Sequence, residues 1–145
     1  MAASGCSCFC TMKTLYSFCI VISCLATGCS LTEPLPNNDL EVATRFIHDI
    51  QKNDFREARK LLLSNDTNLQ YLDRFETHFN SKSREELNQY RDAEIIVNEV
   101  SNVNDSVTIV NYSSSFNKAE KNKLKVVRVN GQWLVDLQYT FSGNL

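Results

Sequence analysis

A chain of 145 residues with 43% hydrophobic and 22% charged content has apolar surface for one compact domain and too much for wholesale disorder. Its net charge of −2, with no run of basic residues, excludes the counterion-displacing surface that non-specific nucleic-acid binding needs. All six cysteines fall at or before Cys29, so a disulfide framework stapling the body of the chain is excluded too.

The first segment in chain order is an address. "MKTLYSFCIVISCLATGCS", from Met12, places Lys13 ahead of an uncharged apolar run, Leu15–Ala26, and the small residues Ala26, Thr27 and Gly28 ahead of Cys29. A bilayer-crossing helix needs about 20 apolar residues. This run is shorter and has the length of a signal-peptide apolar region. Met1–Thr11 carries no charge, which makes Met12 an expected alternative start. The "CSCFC" stretch, Cys6, Cys8 and Cys10, has no histidine or cysteine partners at ligand spacing, so no metal site is expected there.

The end of this segment resembles the lipobox of bacterial lipoproteins, in which small residues precede a cysteine that becomes the first mature residue. The resemblance implies cleavage after Gly28 and a diacylglycerol on the Cys29 thiol, although Ala26 stands where the family most often has leucine. "VISC" supplies Cys24 as the second candidate. Cutting there would leave only Leu15–Ile22 as the apolar region, which favours Cys29. Each acyl methylene buried in lipid contributes about 0.8 kcal/mol, so two or more chains hold a protein on a membrane. Ser30 is not an acidic retention residue, and the resemblance then implies sorting to the outer membrane of a two-membrane bacterium. The expected organisation is a signal peptide over 1–28, a tether over 29–38 containing Pro34 and Pro36, and one domain over 39–145.

Helical spacing begins at Asn38. Leu40, Ala43, Ile47 and Ile50 recur at three to four residues, flanked by Val42 and Phe46, with Asn38 or Asp39 as cap. "QKND" breaks the pattern, and Asp54 with Glu57 predicts a second start leading into Phe55, Ala58, Leu61 and Leu62. Thr67 with Gln70 predicts a third, carrying Leu69, Leu72, Phe75 and Phe79, and Ser83 with Glu86 a short fourth, carrying Leu87 and Tyr90.

After Asp92 the period changes to two. "AEIIVNEV" and "SVTIVNYSS" are predicted strands separated by a turn at "NVND", and "FNKAEKNK" is predicted to be a charged loop. "LKVVRV", Asn130-Gly131 and "QWLVDLQY" predict a hairpin with a two-residue turn. That turn sets Val129 against Gln132, Arg128 against Trp133, Val126 against Val135 and Leu124 against Leu137. Leu124, Val126, Trp133, Val135, Leu137 and Tyr139 then form one apolar face, while Lys125 meets Asp136 and Lys123 meets Gln138 on the other.

Helices first and antiparallel strands afterwards predict an α+β fold, with helices packed on a curved sheet. "FIHDIQKNDFREARKLL" and "VNGQWLVD" resemble the opening helix pair and closing hairpin of the nuclear-transport-factor-2-like (cystatin-like) family. The resemblance covers Leu40–Tyr139 and implies a cone-shaped domain, found among bacterial envelope lipoproteins. The fold hosts isomerases, dehydratases and binding modules alike, so function must come from the site.

Tyr71, Phe75, His78, Phe79, Tyr112 and Trp133 are the expected lining of a pocket, with Tyr90 and Tyr139 beside them. A proton-transfer enzyme needs a desolvated base and a donor for the oxyanion. Asp136 is the obvious strand carboxylate, but the hairpin register sets it outward beside Lys125. His78 with a nearby acid is the remaining candidate pair. His48 has no ligand four residues on, so no helical metal pair exists. No catalytic residue, metal or other cofactor is therefore expected. The first reading is a membrane-anchored binding domain for a small apolar ligand or a protein, with no nucleic-acid partner. The alternatives are an isomerase- or hydrolase-like enzyme and a structural homodimer formed through the outer sheet face.

Overall fold

The computed structural model describes residues 35–141. The signal segment, Cys24, Gly28 and Cys29 lie outside the described residues.

Helix α1, Asp39–Gln51, begins where the Asn38 side chain accepts the Glu41 N–H at 2.8 Å. Val42, Ala43, Phe46, Ile47 and Ile50 form its buried stripe, and each large apolar side chain so buried contributes about 1.5–3 kcal/mol. Asn53, in the left-handed region at φ 61°, reverses the chain. Asp54 then caps α2, Phe55–Lys60, by accepting the Glu57 N–H. The Glu57 carboxylate turns to Lys60 instead of closing the box.

The third helix departs from the Thr67 start. Asn65 is the cap, accepting the Asn68 N–H at 2.8 Å, and α3 runs Asp66–Asn80. Asparagine outranks threonine as a cap, and this choice lets Asn68 turn into the interior. Ser83 and Glu86 form the reciprocal capping box of α4, Arg84–Asp92.

Four strands follow in one antiparallel sheet of order β1-β2-β3-β4: Ile95–Asn104, Val107–Ser114, Asn117–Val129 and Gln132–Asp136. Two expectations fail here. "NVN" continues β1, and the turn falls at Asp105–Ser106, where Asn104 accepts the Ser106 N–H. "NKAEKNK" is strand, not loop, pairing Asn117 with Ser114, Asn122 with Tyr112 and Lys123 with Asn111. Its exposed side chains show no apolar alternation because this end of the ladder is held by backbone pairing.

Asn130 and Gly131, at φ 52° and 83°, form the expected turn, and pairing from Val129–Gln132 to Lys125–Asp136 has the expected register. The strand stops at Asp136. Leu137–Phe141 is a fifth helix, α5, so the Leu124–Leu137 and Lys123–Gln138 pairs do not form. The cause is Asn68: its side-chain oxygen accepts the Gln138 N–H at 2.8 Å while its amide donates to the Leu63 carbonyl at 3.0 Å.

Helix α1 lies across the sheet, touching all four strands. Thr108 donates to the Asp39 carboxylate and pins the helix start to β2. Val110, Leu124, Val126 and Val135 meet the α1 stripe in the core. The outer edge of β4 is occupied: Leu63 N–H donates to Val135 O and Val135 N–H to Leu61 O, both at 2.8 Å.

Candidate functional site

Between α1, α3 and one end of the inner sheet face lies a cavity of about 420 Å³. That volume is within the roughly 300–1,000 Å³ of small-molecule sites. Helical spacing brings Phe46, Ile47 and Ile50 of α1 to one wall, and Phe75, His78 and Phe79 of α3 to another. Strand alternation supplies Tyr112 and Ser114 from β2, and Asn122 and Leu124 from β3. Leu137 and Thr140 of α5 close the third side, a place they reach only because Asn68 ends β4 early.

Polar groups are interspersed on these walls: Gln51, His78, Lys82, Asn117 and Glu120 line the cavity together with Ser114, Asn122 and Thr140. Burial, with the Glu120 carboxylate nearby as a smaller cause, pushes the Tyr112 hydroxyl up to about 12. It is therefore a neutral phenol at physiological pH, able to donate one hydrogen bond and unfit as a base. No protein group among the described residues bonds to it. The Thr140 hydroxyl oxygen is buried without a partner. The Asn117 amide holds Glu120 at 3.1 Å, the Gln51 amide reaches the Ala93 carbonyl at 3.4 Å, and the Lys82 ammonium sits 5.2 Å from the Tyr90 ring centroid.

Of the expected lining, Phe75, His78, Phe79 and Tyr112 are on the wall, and Tyr90 with them. Tyr71 is not: its ring stacks on Phe141 at 5.1 Å. Trp133 is not either. It shares the inner face but pairs with Arg128, four positions along β3 from Leu124, about 14 Å away. There the Arg128 guanidinium lies 5.9 Å from the indole. Tyr139 leaves the hairpin face for α5, with the Lys125 ammonium 5.2 Å from its ring. Asp136 is ion-paired to Lys125 at 3.0 Å, as the register implies, and takes no part in the cavity.

Sequence reasoning missed Ser114, Asn122, Leu137 and Thr140. The two-residue step from Tyr112 to Ser114 was the available signal for the first; the others depend on β3 extending upstream and β4 ending early. His78 is exposed at the mouth and makes no side-chain hydrogen bond to a carboxylate among the described residues. A second shifted group lies outside the cavity: burial raises the Asp49 carboxyl above its usual range, against the pull of Arg45 at 3.1 Å. Among the described residues no three His, Cys, Asp or Glu side chains are grouped to hold a metal, and no helix is long and apolar enough to cross a membrane.

This arrangement can enclose an apolar body and offer it a hydroxyl donor and side-chain amides. Comparison with protein-family models, curated proteins and solved structures finds no match to the chain.

Proposed function

We propose that this chain is an exported lipoprotein, tethered to the cell envelope through an acylated Cys29, whose domain binds a small, largely apolar molecule. The carrying observation is the cavity: largely aromatic and aliphatic walls with a neutral Tyr112 phenol and a buried Thr140 hydroxyl that has no partner among the described residues. A buried hydroxyl without a partner, as the Thr140 oxygen lining this cavity is among the described residues, costs about 1–3 kcal/mol. A ligand bearing one acceptor recovers that cost, which favours an apolar molecule with a carbonyl or ether oxygen over a pure hydrocarbon. Helices followed by an antiparallel meander, with the cavity between α1, α3 and the inner face, support the nuclear-transport-factor-2-like reading of the fold. Binding is preferred to turnover because, among the described residues lining the cavity, no hydrogen bond joins His78 to a carboxylate, and Glu120 is held by the Asn117 amide.

Two experiments test the two halves. Cells fed a palmitate analogue should label the wild-type chain and not Cys29→Ala; persistent label in the variant refutes the anchor. For the ligand, Asn122→Trp places a bulky side chain into the cavity from a strand that tolerates aromatics. The full chain in vesicles should give saturable fluorescence with N-phenyl-1-naphthylamine beyond that of Asn122→Trp in the same vesicles. Equal signals from the two refute the binding reading.

A further inference from the structure

One margin of the sheet has no strand partner among the described residues. Among the described residues β1 pairs only with β2, whereas the far side of β4 is taken by Leu61 and Leu63. Natural proteins blunt such a margin with lysine or proline. β1 has neither, and its only charge is Glu99. Three valines stand along it in the open, Val97 at 38%, Val100 at 41% and Val103 at 59% exposure.

The sequence of that margin is close to a palindrome. "VNEVSNV", Val97–Val103, reads the same from either end except that Glu99 exchanges with Ser101. We propose that a second copy of this chain pairs with β1, antiparallel, about a two-fold axis at Val100. A two-fold axis places the same surface of both copies in contact, so residues equidistant from it face each other. Val100 meets Val100 of the second copy, Val97 meets Val103, Asn98 meets Asn102, and Glu99 meets Ser101. Every valine finds a valine and every asparagine an asparagine. Cross-strand pairs of this kind are what stabilise a sheet beyond its backbone ladder.

Charge selects the same register. Sliding the axis by one residue to Glu99 would set two carboxylates opposite each other, a destabilising pair. With the axis at Val100 each Glu99 faces a hydroxyl instead. The chemistry is already visible within the strand, where Ser101 donates to the Glu99 carboxylate at 3.0 Å. The register irregularities against β2 fall between Val97 and Glu99 and between Asn102 and Asn104. Asn98 and Val103, the irregular positions, lie inside the palindrome, so the regular pairing about the axis is Glu99–Ser101 and the outer pairs meet across a bulge. The association uses main-chain groups on both copies, as in strand addition generally, and it leaves the cavity untouched. It also differs from pairing through the outer sheet face.

The test uses the purified full chain. Sedimentation velocity should show a concentration-dependent dimer. Val100→Lys puts two ammonium groups together at the axis and should raise the dimer dissociation constant roughly tenfold or more. Val129→Lys, at the exposed hairpin tip, should leave it unchanged. Circular dichroism checks that both variants keep the fold. Register is read separately, with the six native cysteines changed to serine. Under mild oxidation Val100→Cys should cross-link to itself. Val97→Cys alone should not, because its two copies stand about 20 Å apart, three residues on either side of the axis. A wild-type monomer at all concentrations overturns the proposal. So does a dimer indifferent to Val100→Lys, or a cross-link through Val97 in place of Val100.

Discussion

Replacing Asn68 by leucine isolates the contact that shapes the cavity. Asn68 is fully buried, donates to the Leu63 carbonyl at 3.0 Å and accepts the Gln138 N–H at 2.8 Å. Leucine is close in size, so little cavity or strain results, but two buried backbone groups lose their partners. At about 1–3 kcal/mol per stranded group, and after allowing for burial of the apolar side chain, the loss is about 2–4 kcal/mol. Against a total stability of about 5–15 kcal/mol this is large. It corresponds to a fall of about 1–2 M in the urea midpoint.

Asn68→Asp sharpens the test because it keeps the acceptor and loses the donor. Its carboxylate would face the Leu63 carbonyl oxygen inside the protein. Burial and that carbonyl both disfavour ionisation, so the folded pKa rises above the unfolded value of about 3.9. Below about pH 4 the protonated acid can donate to Leu63 and the variant should approach wild type. As pH rises through the raised folded value that stability is lost. Urea titrations of both variants and wild type at pH 4 and pH 7 read the differences directly. An Asn68→Leu chain within about 0.5 kcal/mol of wild type, or an Asn68→Asp deficit independent of pH, would refute the reasoning.

Two further outcomes follow from local geometry. Gly131→Ala should cost about 1 kcal/mol and a few degrees of melting temperature, because φ is +83° while no atom within 4 Å opposes a new Cβ; an unchanged melting curve would contradict the turn assignment. In ultraviolet titration one tyrosine should ionise only near pH 12, and Tyr112→Phe should remove that step. Because its folded pKa is raised, the stability Tyr112 contributes is intact below about pH 10 and is lost as pH climbs through 12. Tyr112→Phe should therefore lose less stability over that interval, as measured by denaturation at pH 9 and pH 11.

Legibility of the fold tracked how local its causes are. Asn130-Gly131 set the hairpin register by turn chemistry alone, and Ser83 with Glu86 announced a helix start for the same reason. The early end of β4 was hidden because its cause, Asn68, lies 70 residues from Gln138. The first half of β3 was hidden because exposed polar side chains carry no period when the pairing is between backbones. The cavity was half legible. Aromatic residues on α3 and β2 pointed to it, but position along the strand, not face, decides whether a side chain reaches it. Trp133 is on the right face at the wrong end.

Leu61 and Leu63, by binding Val135, do more than finish a ladder. They make the two sides of the described sheet unequal, one spent and one, by the proposal above, open to a second copy. Growth from such a unit terminates at the first addition, since the newcomer presents only a spent side outward. On the proposed lipid anchor and with the proposed pairing through β1, crowded copies would pair without seeding filaments.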